Sequence, residues 1–429
     1  MDVNRHHRRG RRHLVVALLP ILLVACATST PTTSPPTTAT PQSTPSKGAS
    51  ASPSAIPTQT GATPSSAATA TPTVTPAPSS ALSCPRRVLA SLTETQRIGQ
   101  VFAVGLANDG FDAASRTALA EDGFGTWWFT RTTTVGAAAL RRVADAVQAA
   151  STKKATGGIP AFIAANQEGG QVQALRGPGF ARMPSAVTQG TWSTAKLQQR
   201  AAQWGRQLAA AGVNLDFAPV ADVVPAGTAA NNAPIGQLER EYGSTPKVVA
   251  DHVAAFIAGM RSAGIVTTAK HFPGLGRVAQ NTDNSAGVVD DVTTVDDPYL
   301  TSFGQAVKAG VPAVMLSLAT YDLIDPDHLA AFSPSIISGL LHDKLGFRGL
   351  VMSDSLSAEA VASIPIGSRA IRFLEDGGDL IVVRPVDMAV TMADAVQARA
   401  ASRQDFRARV DAAALRVLEA KDAAGLLPC

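Results

Sequence analysis

The chain has 429 residues, 45% of them apolar and 16% charged, with a formal charge of +4. Arg5, Arg8, Arg9, Arg11 and Arg12, less Asp2, account for that whole excess, so everything after the first 25 residues is electrically neutral. A neutral body without a basic stripe excludes nucleic-acid binding, and the high isoelectric point belongs to the leader alone.

The basic cluster is followed by an apolar run, Leu14 to Val24. That run is too short for a permanent membrane span and has the length of a signal-peptide core. It ends in Leu23-Val24-Ala25-Cys26, which resembles a bacterial lipobox. The resemblance implies cleavage before Cys26, lipid on its sulfur, and a mature protein tethered to the cell membrane and facing the wall or periplasm. Residues 1–25 are thus expected to be a signal peptide and 26–83 a linker. The linker is almost entirely Ser, Thr, Pro and Ala with the single charge Lys47, a composition that cannot offset its ordering entropy. Extended at roughly 3 Å per residue, it would hold the remainder on the order of 150 Å from the lipid. Cys84 and Cys429 flank that remainder, and in an exported chain they are expected to form a disulfide joining its ends.

Residues 84–429 alternate short β-branched runs with longer Ala-rich segments. The strand-like runs are Val101–Leu106, Gly125–Thr130, Ala161–Ala165, Asn214–Ala218, Ile265–Ala269, Ala313–Leu318, Gly349–Ser353 and Asp379–Val383. Helix-like stretches such as Lys196–Ala211, Lys247–Ala263 and Tyr299–Ala309 lie between them. Eight repeats of strand and helix predict a single (β/α)8 barrel, with an open doubly wound sheet as the alternative. Such barrels place their chemistry at the carboxyl ends of the strands. The polar residues collect there: Asn166 and Glu168 after the third strand, Asp222 after the fourth, Lys270 and His271 after the fifth, Asp354 after the seventh and Arg384 after the eighth. Trp127 and Trp128 at the second strand suit either barrel packing or a stacking face for sugar. No metal spacing, phosphate loop or nucleotide fingerprint is visible, so no cofactor is expected.

The segments Gln167-Glu168-Gly169-Gly170, Met183-Pro184-Ser185-Ala186, Asn214 to Pro219, Ile235-Gly236 with Arg240, Lys270-His271-Phe272-Pro273-Gly274 and Ser353-Asp354 together resemble glycoside hydrolase family 3. The likeness is to its single-domain β-N-acetylglucosaminidase branch and spans residues 95 to 425. It implies a carbohydrate substrate, Asp354 as the nucleophile of a retaining mechanism, and Asn166, Arg240, Lys270 and His271 as contacts to the non-reducing sugar. A single barrel without a second domain must supply its own proton donor, and a monomer is expected.

Two departures from the family pattern bear on the chemistry. The branch carries its acid as an Asp-bound histidine on the loop after the fifth strand, and no histidine occurs there. Aligned without gaps, Asn281-Thr282-Asp283 occupies the place and Asp283 becomes the donor; with two inserted residues, Ser285 falls where the histidine belongs. Serine is a poor general acid, which makes Asp283 the candidate in either alignment. Asn166 stands where the family has aspartate, removing a charge-assisted acceptor for a sugar hydroxyl, and Ser355 replaces a second aspartate beside the nucleophile. The expected function is an exo-β-N-acetylglucosaminidase acting on wall-derived glycans. The alternatives are a glycan-binding pseudoenzyme that has lost its acid, or an exo-β-glucosidase.

Overall fold

The computed structural model describes residues 82–429. The leader, Cys26 and the linker up to residue 81 lie outside the described residues, among which no helix is long and apolar enough to cross a membrane.

Each predicted run holds a strand: β1 (Phe102–Leu106), β2 (Thr126–Phe129), β3 (Phe162–Ala165), β4 (Leu215–Asp216), β5 (Val266–Phe272), β6 (Ala313–Leu316), β7 (Leu350–Ser353) and β8 (Ile381–Val383). The fifth runs on past its predicted end at Ala269, so Lys270 and His271 lie within the strand rather than after it. They form one 8-stranded parallel sheet in the order β7-β6-β5-β4-β3-β2-β1-β8. A parallel bridge between Met352 and Leu380 brings β7 against the start of β8. Ser353 N–H donates to Leu380 O at 3.1 Å and Leu356 N–H to Val382 O at 2.8 Å, closing the ring. Closure rules out the open sheet.

The near-continuous apolar strands follow from burial on both faces. Ala103, Trp128, Phe162, Ala164, Leu215, Phe217, Met315 and Val382 fill the barrel interior. Their neighbours in sequence, among them Val104, Trp127, Phe129, Ile163 and Ala165, turn outward into the layer shared with the helices. Helix Thr194–Ala210 is capped by Ser193, whose side chain accepts from Lys196 N–H, and buries Leu197, Ala201, Trp204 and Leu208 on one stripe. It packs on helix Pro246–Ser262, where a Cβ on Gly259 would lie 2.4 Å from Gln198 O; only glycine permits that approach.

The last helix, Gln404–Ala423, stoppers the amino-terminal mouth of the barrel. Val417 joins the interior cluster, with Ala420, Ala424 and Leu426 packed beneath it. Beside them the buried Lys421 donates from Nζ to Gln100 Oε1 at 2.8 Å and to Gly125 O at 2.9 Å. Burial pushes its ammonium down to about 7. A disulfide between Cys84 and Cys429 ties the first helix, Cys84–Ser91, to the chain end.

Three features were not legible in the sequence. Val289–Asp290, Thr320–Tyr321 and Asp325–Leu329 form a small separate sheet. Gln167–Gly169 pairs with Val172–Gln173 as a hairpin over the end of β3. The helix read at Tyr299–Ala309 is a 3-10 turn, Pro298–Leu300, running into the α-helix Thr301–Lys308.

Candidate active site

The carboxyl ends of the strands surround a pocket of about 190 Å³. Trp128, Phe217 and Met315, all from the barrel interior, supply its apolar lining, and Asn166, Arg240, Lys270, His271, Asp283, Asp354 and Arg384 its polar one. Strand geometry would normally send Lys270 and His271 to opposite faces. The register of β5 against β6 shifts between Lys270 and Phe272, the Lys270–His271 peptide is cis, and both side chains line the pocket. A bulge of this kind re-aims side chains next to functional sites.

Glu168 organises the cations. Its carboxylate receives Arg240 in a bidentate fork, Nε at 2.8 Å and Nη2 at 2.9 Å, and Lys270 Nζ at 2.6 Å. Burial alone would raise this carboxyl, but the charges and hydrogen bonds of Arg240 and Lys270 outweigh it and hold the group down at about 2. Lys270 thus helps to keep Glu168 ionised. Lys270 also donates to Asn166 Oδ1 at 2.8 Å, so Asn166 serves the lysine as well as facing the pocket. Arg240 is further anchored by Nη1 on Pro234 O at 2.7 Å.

Asp222, which follows β4, holds the histidine. His271 Nδ1 lies 2.8 Å from Asp222 Oδ2, while Asp222 Oδ1 accepts from His271 N–H at 3.1 Å and Leu275 N–H at 2.8 Å. With the proton on Nδ1, Nε2 faces Arg240 Nη2 at 3.4 Å as an acceptor. Below this cluster sits Asp216, fully buried, accepting Gln167 N–H at 2.9 Å on Oδ1 and leaving Oδ2 without a protein partner. Burial, with Glu168's charge adding, raises its carboxyl well above the ordinary range, which favours the neutral acid there.

Asp354 extends from β7 and is fixed by its own backbone: its N–H donates to Leu316 O at 2.9 Å, and its Oδ1 accepts from Ser355 N–H at 2.7 Å. Ser355 turns its hydroxyl to Ser357 Oγ at 2.7 Å, so serine is accommodated beside the aspartate. Asp283 comes from the loop after β5; the residue is exposed, yet it lines the same pocket. Desolvation on the pocket side, tempered by that exposure, and the charge of Asp354 raise its carboxyl, with Arg240, His271 and Arg384 opposing. Ser285, the other position for the missing histidine, is not among the residues lining the pocket. Of the tryptophans, Trp128 lines the pocket and donates its indole N–H to Val383 O at 3.2 Å. Trp127 packs outward against Phe111 and Phe124.

A barrel with this site matches a family model over residues 94–420, that of the glycosyl hydrolase family 3 N-terminal domain. The chain belongs to glycosyl hydrolase family 3. It is therefore a glycosidase. It is 31% identical over 252 residues to a β-hexosaminidase of Stenotrophomonas maltophilia, covering 56% of this chain and 72% of that one. A solved β-N-acetylhexosaminidase of Beutenbergia cavernae superposes with a TM-score of 0.76 at 46% identity, over 77% of this chain and 99% of the other. A family 3 β-N-acetylglucosaminidase from Paenibacillus gives a TM-score of 0.70 at 26% identity, over 78% of this chain and 63% of its own.

Glu168 and Asp222 were noted in the sequence only as polar strand ends, because the partners of Glu168 lie 72 and 102 residues away and that of Asp222 lies 49 away.

Proposed function

We propose that this family 3 β-N-acetylhexosaminidase is an exo-acting, retaining β-N-acetylglucosaminidase that removes terminal β-linked N-acetylglucosamine from peptidoglycan-derived or related glycans. Asp354 attacks the anomeric carbon and forms a glycosyl-enzyme ester while Asp283 gives its proton to the departing glycosidic oxygen. Asp283, now ionised, then takes a proton from water as that water attacks the anomeric carbon and displaces the Asp354 carboxylate, releasing the sugar and restoring both groups. Arg240, Lys270, His271 and Asn166 hold the hydroxyls of the terminal sugar. Exo action is supported by the pocket volume of about 190 Å³, on the scale of one pyranose unit.

The observation that carries the mechanism is that Asp283 and Asp354 share one pocket, with the charge of Asp354 helping to keep Asp283 protonated. An acid held in this way favours catalysis over the glycan-binding alternative. The leader sequence supports tethering through Cys26 at the outer face of the cell membrane, where wall glycans are the available polymer. The test is incubation of the full chain with N-acetylglucosaminyl-N-acetylmuramic acid, with Asp354→Asn as control. Release of N-acetylglucosamine by the unmutated protein alone is expected. Binding of the disaccharide without release would overturn the reading in favour of a carbohydrate-binding protein.

A further inference from the structure

Asn232 lies between the two segments that deliver Arg240 and Asp283, and it is 2% exposed. Its Nδ2 donates to Leu275 O and to Val278 O, both at 2.7 Å. Its Oδ1 accepts from Ile235 N–H at 3.2 Å and from Gly236 N–H at 2.7 Å. Every side-chain hydrogen is thus used, two toward the loop after β5 and none toward solvent. The neighbouring Ala233 N–H adds a backbone bond to Ala279 O at 3.1 Å.

From Asn232 the connections run in both directions to reacting groups. On one side, Ile235 O accepts Arg240 N–H at 3.1 Å, and Pro234 O accepts Arg240 Nη1 at 2.7 Å. On the other, Val278 stands three residues before Asn281, whose Oδ1 accepts Asp283 N–H at 2.9 Å. The loop's tip is held from the far side, where Ala360 N–H donates to Thr282 O at 3.1 Å and Glu359 N–H to Asp283 O at 3.2 Å. Removing the Asn232 side chain would loosen the near side, leaving it the Ala233–Ala279 backbone bond and the Leu275 N–H bond to Asp222, while the far side stayed fixed.

We propose that Asn232 is a positioning residue for acid catalysis: it locks the Asp283 loop to the segment carrying Arg240, so that the proton donor and the sugar clamp keep one mutual geometry. This rests on Asp283 being the acid. A residue that acts through the acid matters most when the leaving group is poor, because a good leaving group departs without a proton. A merely structural residue would lower turnover of all substrates alike.

The experiment uses the full chain with two substrates, the N-acetylglucosaminyl-N-acetylmuramic acid disaccharide and a dinitrophenyl N-acetyl-β-glucosaminide. For Asn232→Ala, kcat/KM is expected to fall about ten-fold or more on the disaccharide and less than about three-fold on the activated glycoside. Asn232→Ser, whose hydroxyl can still serve one of the two carbonyls, is expected to lose less and guards against misfolding of the alanine variant. On a mononitrophenyl glycoside, Asn232→Ala placed in Asp283→Asn is expected to cost nothing beyond Asp283→Asn alone, the signature of two groups acting as one. Equal losses on both substrates, or additive losses in the double variant, would overturn the proposal while leaving Asp283 as the acid. If Asp283→Asn itself shows no dependence on the leaving group, the acid assignment fails, and this proposal with it.

Discussion

Glu359 N–H donates to Asp283 O at 3.2 Å, tying the loop that carries the candidate acid to the connection that follows the candidate nucleophile. Asp354 and Glu359 are five residues apart in the chain, whereas Asp283 lies 71 residues before Asp354. The contact makes the two carboxyls neighbours through the backbone as well as across the pocket.

Asp283→Asn is therefore expected to lower kcat on the disaccharide by about 10²–10⁴-fold and to spare glycosides with good leaving groups. The alkaline limb of kcat/KM in the unmutated enzyme should lie above the ordinary carboxylate range, because burial and the charge of Asp354 raise Asp283. In Asp354→Asn the like charge is gone, so the Asp283 carboxyl should titrate lower. Carboxyl NMR titration of the two proteins checks the sign.

Glu168→Gln leaves Arg240 and Lys270 without their shared counter-charge. Breaking a buried pair in this way costs about 3–5 kcal/mol, measurable by denaturant unfolding. Glu168 is held at about 2 in the fold against 4.5 as its ordinary value. Its depressed value contributes stability that is full above the unfolded value and is lost as pH falls from 4.5 toward about 2. The variant should lack that part of the acid sensitivity.

Asn166→Asp adds a carboxylate beside Lys270 Nζ, which now donates to the amide oxygen at 2.8 Å. Arg240, Lys270 and Glu168 together carry one net positive charge, so a further carboxylate is balanced. A charged acceptor strengthens a hydroxyl contact by roughly 1 kcal/mol over a neutral one. KM for N-acetylglucosaminides should fall several-fold; a rise would mean that Asn166 serves only to hold Lys270.

Lys421 predicts a pH effect at the other end of the barrel. Its amine sits at about 7 in the fold and at 10.5 when unfolded. The unfolded chain binds more protons between those values, so stability rises with pH across that window and is reduced as pH falls through it. Unfolding of the unmutated protein and of Lys421→Met at pH 7 and at pH 9 should diverge in that sense.

The barrel was legible because each strand is a short apolar run that ends in polar residues, as in Thr267-Thr268-Ala269-Lys270-His271. Such runs need only local burial to be recognised. Asp325-Pro326-Asp327-His328-Leu329 reads as a turn and becomes a strand only because Thr320–Tyr321 lies beside it. The site was legible residue by residue, not in its wiring. That Lys270 and Arg240 converge on Glu168, or that Asn232 joins two loops, depends on contacts across tens of residues that no local pattern encodes.

In the proposed mechanism Asp354 forms a covalent bond to the sugar. The full chain would be incubated with a fluorinated N-acetylglucosaminyl fluoride, which forms the glycosyl-enzyme quickly and hydrolyses it slowly, and then digested for peptide mass analysis. One sugar is expected on the peptide containing Asp354 and none in Asp354→Asn. A label on another residue, or fluoride release with inversion and no labelled peptide, would rule out Asp354 as the nucleophile.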